Sequence, residues 1–431
     1  MKYRIYFHID EVARDSVVAA NLKALFARQD IQLVYGNRLT SEALKFSQPF
    51  DLLIFPSVDL IETTYPVASS IDVPIMILPT EGIGMNDMKR FSVHFLGLQY
   101  VSGKKDWASK VTAFCFWGSE QKRIASQIAP ELTSKFHVVG HPRHDKRCLA
   151  PSKEATSPKP VGFLTRVDLL NTFDDRNVLH HLFHLRRVTG QEYWLTEGRD
   201  IEDIIYTMCS DARVGFGITQ AMKDHGVDFQ LRVHPRENRN VWNNLLQKSI
   251  RAGTLAPWDQ PFMHWLNSVG HIVSPPSTSF YDAFVLKKKP ICYELLNPHR
   301  KHHCIAGSDD ENPILQYVYR PETSKEVIRF LEEPVFVEKI EPAVEELLFK
   351  ETNYPYSQGS LDEIVKLCRE HLGTRAPSKI SDSMMYEART RYRRLRFVAA
   401  KKIRQKTDQS AIFDLDSKRQ AWIDHLTHTE I

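Results

Sequence analysis

The chain has 431 residues and 42% hydrophobic content, enough to bury two cores, which predicts two or three domains. Its net charge of +4 is too mild to indicate nucleic-acid binding across the whole surface. Six cysteines without a CxxC spacing, no apolar signal-peptide stretch and no segment of transmembrane length predict a cytoplasmic protein that is soluble or held at a membrane surface.

Short apolar strands alternate with helical patterns along the first 149 residues. The pattern predicts a strand over residues 3–9 and an amphipathic helix over residues 11–28. Further strands are predicted over residues 31–35, 51–55, 73–78, 111–116 and 136–139. This alternation is typical of parallel βαβ units. It predicts a Rossmann-like domain over residues 1–149, which would bind the acceptor.

A proline-rich stretch then interrupts the alternation. Residues 150–160, APSKEATSPKP, have no core-forming pattern and predict a linker. The alternation restarts with strands over residues 161–164, 227–233, 271–273 and 290–293 and a helix around residues 203–224. This predicts a second Rossmann-like domain over residues 161–374 and a basic helical tail over residues 375–431. The expected fold class is α/β, with two parallel sheets facing each other across a cleft.

Two motifs in the second half carry the chemistry. Residues 231–237, LRVHPRE, place His234 and Arg236 at a strand end, and residues 274–283, SPPSTSFYDA, place Ser277, Thr278 and Ser279 between a strand and a helix. Carboxyl ends of parallel strands meet at the edge where open α/β folds bind ligands. An imidazole, hydroxyls and a helix N-terminus there predict a phosphate site. Alternatively, His-Pro turns the chain and a serine caps the helix.

The acidic clusters do not indicate a metal site. Residues 174–175 and 309–311 are acidic but lie in polar, loop-like contexts, so we predict no metal. Cationic side chains, hydroxyls and helix dipoles would then stabilise the leaving phosphate. The three lysines at 287–289 predict a solvated turn.

Several short motifs, in their order along the chain, resemble those of bacterial surface-carbohydrate biosynthesis proteins. They are Glu11 with Arg14, Thr80-Glu81-Gly82, Trp117-Gly118-Ser119, Gly140-x-Pro142-Arg143-x-Asp145, Arg166-x-Asp168 with Asn171 and Phe173, and His234-Pro235-x-Glu237. The paired His-Pro and Ser/Thr motifs are similar to those of transferases that use CMP-activated acidic sugars, in particular retaining β-Kdo transferases of capsule and O-antigen assembly. The resemblance spans roughly residues 1–370. It implies a GT-B fold, no cofactor, and a CMP-Kdo or related donor held by those two motifs.

The resemblance also implies roles for two carboxylates. Retention by double displacement through an oxocarbenium-like state needs a carboxylate nucleophile and a group that removes the acceptor proton. The family pattern implies Asp168 as the nucleophile and Glu81 as the acid/base, with Asp145 as a competing nucleophile. Alternatively, Asp168 is a loop cap beside Arg166, and Glu81 stabilises its turn.

Three further residues could contact substrates. Arg166 could pair with the donor carboxylate, because a planar guanidinium suits two-pronged pairing. His141 and Arg143 follow the last strand of the first domain and could touch donor or acceptor. A structural role for His141 is an equal alternative.

The tail after residue 375 is strongly basic, and its cations are Arg389, Arg391, Arg393, Arg394, Arg396, Lys401, Lys402, Arg404 and Lys406. With apolar residues interleaved, they predict a helix that contacts the anionic inner face of the cytoplasmic membrane. Such contact would suit a lipid-linked acceptor. The alternative is a helix that packs across both domains. No recognised RNA-binding module accompanies the charge, so we predict no nucleic-acid partner.

Three functions remain open from the sequence. The first is transfer of Kdo, or a related nonulosonic acid, from a CMP-sugar to a surface glycan or lipid-linked acceptor, with retention. The second is a UDP-sugar GT-B transferase or a non-hydrolysing UDP-sugar epimerase, which would invert C2 without an acceptor. The third is a non-catalytic scaffold of a polysaccharide assembly complex.

Overall fold

The chain divides into two units, Met1–Leu149 with Glu345–Ile431, and Ala150–Val344. The computed structural model describes residues 2–10, 12–37, 41, 44, 49–64, 71–80, 91–92, 95–97, 100, 103, 106–149, 159–167, 170–171, 201–235, 237–248, 253–299, 312–337, 339–373, 384 and 386–392. Each unit is built on a parallel sheet with helices, which confirms the predicted α/β class.

The first unit has strands β1 (Tyr3–His8), β2 (Ile31–Gly36), β3 (Leu52–Phe55), β4 (Ile75–Ile77), β5 (Ala113–Phe116) and β6 (Phe136–Val138). Its helices include α1 (Val12–Ala27), α2 (Val58–Thr64), α3 (Asp106–Lys110) and α4 (Ser119–Ile128). Within the described residues these strands form one parallel sheet in the order β2-β1-β3-β4-β5-β6. Strands such as β3 are buried at every position, which explains their continuous apolar sequence.

The second unit has strands β7 (Val161–Leu164), β8 (Phe229–Arg232), β9 (Gly253–Leu255), β10 (Ile272–Ser274) and β11 (Ile291–Cys292). Its helices include α5 (Ile201–Asp224), α6 (Arg239–Lys248), α7 (Phe262–Ser268), α8 (Ser279–Val285) and α9 (Ser324–Glu332). The described strands form a parallel sheet in the order β11-β10-β7-β8-β9. Strand β9 was not predicted, because its sequence, Gly-Thr-Leu, contains no apolar run.

The end of the second unit differs from the sequence prediction, which placed residues up to 374 in the second domain. From Glu345 onward the chain belongs to the first unit, through most of α10 (Pro342–Thr352) and all of α11 (Ser360–Leu372). Helix α11 packs against α1, and the Cys368 thiol contacts Met76 of β4 at 3.6 Å. The apolar face of α11 predicts a buried helix, but nothing local indicates which sheet covers it.

Each unit has its own apolar core. The core of the first unit is rich in aromatic residues, including Tyr6, Trp107 and Phe114. The core of the second includes Phe163 and Tyr293, whose rings stack at 5.8 Å. Among the helices that the structure describes, none combines the length and apolar character needed to cross a bilayer.

The start of the basic tail is helical at residues 386–392. Tyr386 is buried and stands edge-on to Phe50, with ring centroids 5.0 Å apart, and Thr390 is buried one turn later. Arg389 and Arg391 are exposed. This part of the tail therefore packs on the first unit with its cations toward solvent. The remaining tail cations lie outside the described residues, so membrane contact stays a prediction.

Candidate functional site

The candidate nucleotide site lies at the carboxyl edge of the second sheet. Strands β10, β7 and β8 are neighbours and parallel, so the segments that follow them emerge at one edge. Ser277–Ser279 follow β10, Thr165–Arg166 follow β7, and His234 follows β8. From β7 the chain adds β8 and β9 on one side and β10 and β11 on the other. Such a switch point creates the crevice in which open α/β sheets bind ligands.

Hydrogen bonds join these three segments. The backbone N–H of His234 donates to Thr165 Oγ1 at 3.0 Å, and Arg166 Nη1 donates to the carbonyl oxygen of Pro276 at 3.4 Å. Thr165 is buried and His234 is half-buried. Because the backbone of His234 makes the contact to Thr165, this anchor positions the His-Pro turn without using the imidazole.

The two serines form a hydroxyl pair. Ser277 Oγ contacts Ser279 Oγ and also accepts a hydrogen bond from the backbone N–H of Ser279 at 3.2 Å. Thr278, at the N-cap of α8, is exposed and makes no side-chain capping bond. The contact to the Ser279 amide supports the turn-stabilising interpretation of Ser277. The two hydroxyls nevertheless lie at the same edge of the sheet as His234.

Glu237 organises this edge, a role that sequence reasoning missed. Its buried carboxylate accepts from the backbone N–H of Val167 at 2.8 Å and from Trp242 Nε1 at 2.6 Å. Its own backbone N–H donates to the carbonyl oxygen of His234 at 2.9 Å. Glu237 thus joins the segment after β7 to the His-Pro turn. In the sequence, the only indication of this role is that Glu237 lies three residues after His234.

A second candidate site is a pocket at the carboxyl edge of the first sheet. It has a volume of about 330 Å³, part of which is open solvent. It is lined by Phe7, Arg14, Asp15, Val18, Leu78, Pro79, Thr80, Trp117, His141, Pro142 and Arg143. Most of these residues lie in the segments that follow β4, β5 and β6, as the sequence predicted for Thr80, Trp117 and His141. Three charged side chains line a pocket that is otherwise largely apolar.

Helix α1 brings Arg14 to this pocket. Arg14 Nη2 donates to Asp10 Oδ2 at 2.8 Å and to Thr80 Oγ1 at 3.0 Å, and its Nε donates to Asp15 Oδ1 at 3.2 Å. The side chain is 15% exposed. The bond to Thr80 links α1 to the turn that precedes Glu81 in the chain.

His141 forms the buried wall of the pocket. It is 1% exposed, and its ring stacks on Trp117 at 4.0 Å and on His144 at 4.2 Å between centroids. Burial, assisted by electrostatic interactions with His144, Arg143 and Arg14, lowers the pKa of His141 well below its usual value. The imidazole is therefore neutral at pH 7. Gly140 allows this turn by adopting a φ of 82°.

Asp145 does not line the pocket. It is 0% exposed, and its carboxylate accepts from the backbone N–H groups of Arg147 and Leu361, each at 3.0 Å. The guanidinium of Arg147 approaches it at 3.3 Å and also pairs with Asp362 at 2.7 Å. These contacts favour a structural role for Asp145, which joins the segment after β6 to the start of α11.

No protein-family model matches the chain, and no curated protein matches it. Solved structures do align with it. A variant of the wall teichoic acid polymerase TagF, soaked with CDPG, aligns with a TM-score of 0.51 at 9% identity, over 86% of this chain and 89% of that chain. The chain has a GT-B-like fold.

Two further solved structures align with lower TM-scores. Staphylococcus aureus MnaA with UDP has a TM-score of 0.47 at 10% identity, over 88% of this chain and 100% of that chain. Methanocaldococcus jannaschii UDP-GlcNAc 2-epimerase with UDP-GlcNAc and UDP has a TM-score of 0.47 at 11% identity, over 86% of this chain and 100% of that chain.

The predicted site residues that the structure describes are thus divided between the two units. His234, Arg166, Ser277 and Ser279 lie on neighbouring segments at one edge of the sheet of the second unit, whereas His141 and Arg143 line the pocket of the first. Glu81, Asp168 and Arg236 fall outside the residues that the structure describes, so their predicted roles stay predictions.

Proposed function

We propose that the protein is a glycosyltransferase of surface-polysaccharide assembly that moves Kdo, or a related nonulosonic acid, from a CMP-activated donor to a glycan or glycolipid acceptor. The observation that carries this proposal is that hydrogen bonds join the segments of His234, Arg166 and the serine pair at the switch point of the second sheet. The GT-B-like fold supports nucleotide-sugar chemistry, and the order of the sequence motifs supports a CMP-linked acidic sugar.

In this proposal the second unit binds the donor phosphate through protein groups alone, without a metal or cofactor. The imidazole of His234, the guanidinium of Arg236 and the hydroxyls of Ser277, Thr278 and Ser279 supply donors to the phosphate oxygens. Arg166 pairs with the carboxylate of the donor sugar. Such donors stabilise the charge that develops as the sugar–phosphate bond breaks. CMP then leaves as an anion that requires little help from a general acid.

The proposed chemistry is a double displacement. The Asp168 carboxylate attacks the anomeric carbon, CMP departs, and a covalent glycosyl ester forms. Glu81 takes the proton of the acceptor hydroxyl, which attacks the same carbon and releases Asp168, so two inversions retain the configuration. The contact of Glu237 with Val167 supports this assignment, because it anchors the main chain one residue before Asp168. The first unit, with the basic tail, would bind a membrane-linked acceptor on the cytoplasmic side.

A thermal-shift panel of CMP, UDP, GDP and CDP tests the donor class, because a ligand that binds only the native state raises its stability. We expect CMP to stabilise the wild type selectively. His234→Ala removes a phosphate donor and should weaken CMP binding about 5- to 150-fold. The matched control is His225→Ala, at an exposed histidine just after α5, which should bind CMP like the wild type.

Two outcomes would contradict the proposal. Selective stabilisation by UDP would favour a UDP-sugar transferase or epimerase, and stabilisation by no nucleotide would favour the scaffold. Unchanged CMP affinity in His234→Ala would remove His234 from the phosphate site while leaving the donor class intact.

A further inference from the structure

Thr165 ends the pairing between β7 and β8. The ladder pairs Leu164 with Arg232, and the backbone N–H of Thr165 then donates to the carbonyl oxygen of Arg232 at 3.2 Å. In a regular parallel ladder the next bond would run from the backbone N–H of His234 to the carbonyl oxygen of Thr165. Here that N–H donates at 3.0 Å to the side-chain hydroxyl, Thr165 Oγ1. The hydroxyl therefore lies where the two strands stop pairing.

Thr165 also follows the central strand of the second sheet. Strand β7 pairs with β8 on one side and with β10 on the other, and the same two registers, continued past the strand ends, place Thr165 beside Val233 and Pro275. Because Pro275 has no backbone N–H, the segment after β10 cannot extend its ladder to β7. Both ladders of β7 thus end at the level of Thr165, between the His-Pro turn and the serine segment.

The hydroxyl of Thr165 retains a proton that it can donate. A hydroxyl can donate and accept at the same time, and Oγ1 already accepts from the backbone N–H of His234. Within the described part of the chain, no group accepts the proton of this hydroxyl. Thr165 is only 6% exposed, so little bulk water reaches it. A buried donor of this kind is stabilised most by a charged acceptor.

The neighbouring segments favour a phosphate oxygen as that acceptor. Arg166 follows Thr165 directly, and its Nη1 donates to the carbonyl oxygen of Pro276 at 3.4 Å. The hydroxyl pair of Ser277 and Ser279 lies on the segment after β10, and the half-buried His234 lies on the segment after β8. Cationic, imidazole and hydroxyl groups thus occur on all three segments at this edge, and such donors suit an anionic oxygen.

We propose that Thr165 is a further ligand of the donor phosphate, with its hydroxyl donating to a phosphate oxygen while it accepts from the backbone N–H of His234. This inference rests on the proposed function, in which the second unit binds the phosphate of the CMP-linked donor. Because hydrogen bonds in a chain polarise one another, the bond from His234 makes the Thr165 hydroxyl a better donor. Thr165 thereby adds a donor from the central strand to those of the two motifs.

Calorimetric titration of the full chain with CMP and with inorganic phosphate tests this role. Thr165→Val keeps the β-branched shape and removes the hydroxyl, so it should weaken the binding of both ligands about 10- to 100-fold. Thr165→Ser keeps the hydroxyl and should bind CMP nearly as the wild type does. Thr254→Val is the matched control, because Thr254 is an exposed threonine on β9. Thr165→Ala is a second variant without the hydroxyl, for use if thermal unfolding shows that Thr165→Val does not fold.

A double-mutant cycle separates a direct contact from a role that only positions His234. In the His234→Ala background, removal of the Thr165 hydroxyl should weaken CMP binding by a further 5-fold or more, about the effect of one hydrogen bond to a charged group. No further loss in that background would overturn the direct contact. Unchanged CMP affinity in Thr165→Val, or equal losses in Thr165→Val and Thr165→Ser, would also overturn it.

The same titrations distinguish this inference from the proposed donor. CMP binding that does not depend on the Thr165 hydroxyl refutes the phosphate ligand alone. Binding of inorganic phosphate that depends on this hydroxyl, without binding of CMP, refutes the donor assignment alone. If neither CMP nor inorganic phosphate binds to the wild type, both are refuted.

Discussion

Lys288 is a buried cation whose replacement should change how stability depends on pH. Its side chain is 0% exposed, and Nζ donates to the carbonyl oxygens of Leu266 at 2.6 Å and Val269 at 2.5 Å, at the end of α7. Nζ also lies 5.4 Å from the centre of the Phe336 ring. Burial, with a smaller contribution from the charge of Lys159, lowers the pKa of Lys288 to about 7.

The direction of the pH effect follows from proton binding. An unfolded lysine has a pKa of about 10.4, so between pH 7 and pH 10 Lys288 binds more protons in the unfolded state than in the folded state. The contribution of Lys288 to the free energy of unfolding therefore rises with pH by at most about 1.4 kcal/mol per unit, and by roughly 4–5 kcal/mol in total. Below pH 7 both states carry the proton and this contribution is constant. His271 also faces Lys288, but burial lowers its pKa below 6.5, so it acts outside this window.

Urea unfolding of the wild type, Lys288→Met and Lys289→Met between pH 7 and pH 9.5 measures this effect. Lys289 is the control because it is partly exposed and pairs with Glu341 at 3.8 Å. We expect the stability curves of the wild type and Lys289→Met to run parallel with pH, and that of Lys288→Met to fall below them by about 1 kcal/mol more for each pH unit. At pH 9 Lys288→Met should be the less stable by about 1–3 kcal/mol, since two carbonyls lose a donor. Parallel stability curves for all three proteins would refute the reasoning.

Two further predictions concern the carboxylates. Asp145→Asn should lower the stability of the first unit by about 1–3 kcal/mol, because a neutral side chain replaces the charged acceptor of Arg147 and of the Leu361 backbone N–H. CMP binding should not change. Thermal unfolding and CMP titration measure the two effects, and a loss of CMP affinity at unchanged stability would contradict the structural role. Incubation with CMP-Kdo and no acceptor should add one Kdo residue, which peptide mass spectrometry should place on Asp168 and which Asp168→Ala should abolish. An adduct on another acid would move the nucleophile, and a product of inverted configuration would exclude double displacement.

The sequence predicts helices and strands better than it predicts whether a single side chain is buried or exposed. Three consecutive lysines predicted a solvated turn, yet Lys287 is exposed whereas Lys288 is buried. Lys287 adopts a φ of 57°, and Lys288 then forms an antiparallel bridge with Phe336. In an extended segment, successive side chains point to opposite faces. Only the fold shows which of the three lysines meets the end of α7.

The same tripeptide, His-Pro-Arg, follows a strand in both halves of the sequence. The sequence does not predict the different environments of the two histidines. In each copy the proline lacks a backbone N–H. The histidine can therefore accept a local hydrogen bond only from the backbone N–H of the arginine or of a later residue. At residues 141–143 the arginine amide reaches His141 Nδ1, and stacking on Trp117 buries the ring. The amide of the residue three positions after the histidine donates to the histidine carbonyl oxygen in both copies, from His144 to His141 and from Glu237 to His234. The imidazole of His234 nevertheless stays half-exposed. Local sequence therefore predicts a turn at a sheet edge in both places, but tertiary packing decides that His141 is buried and that His234 stays half-exposed.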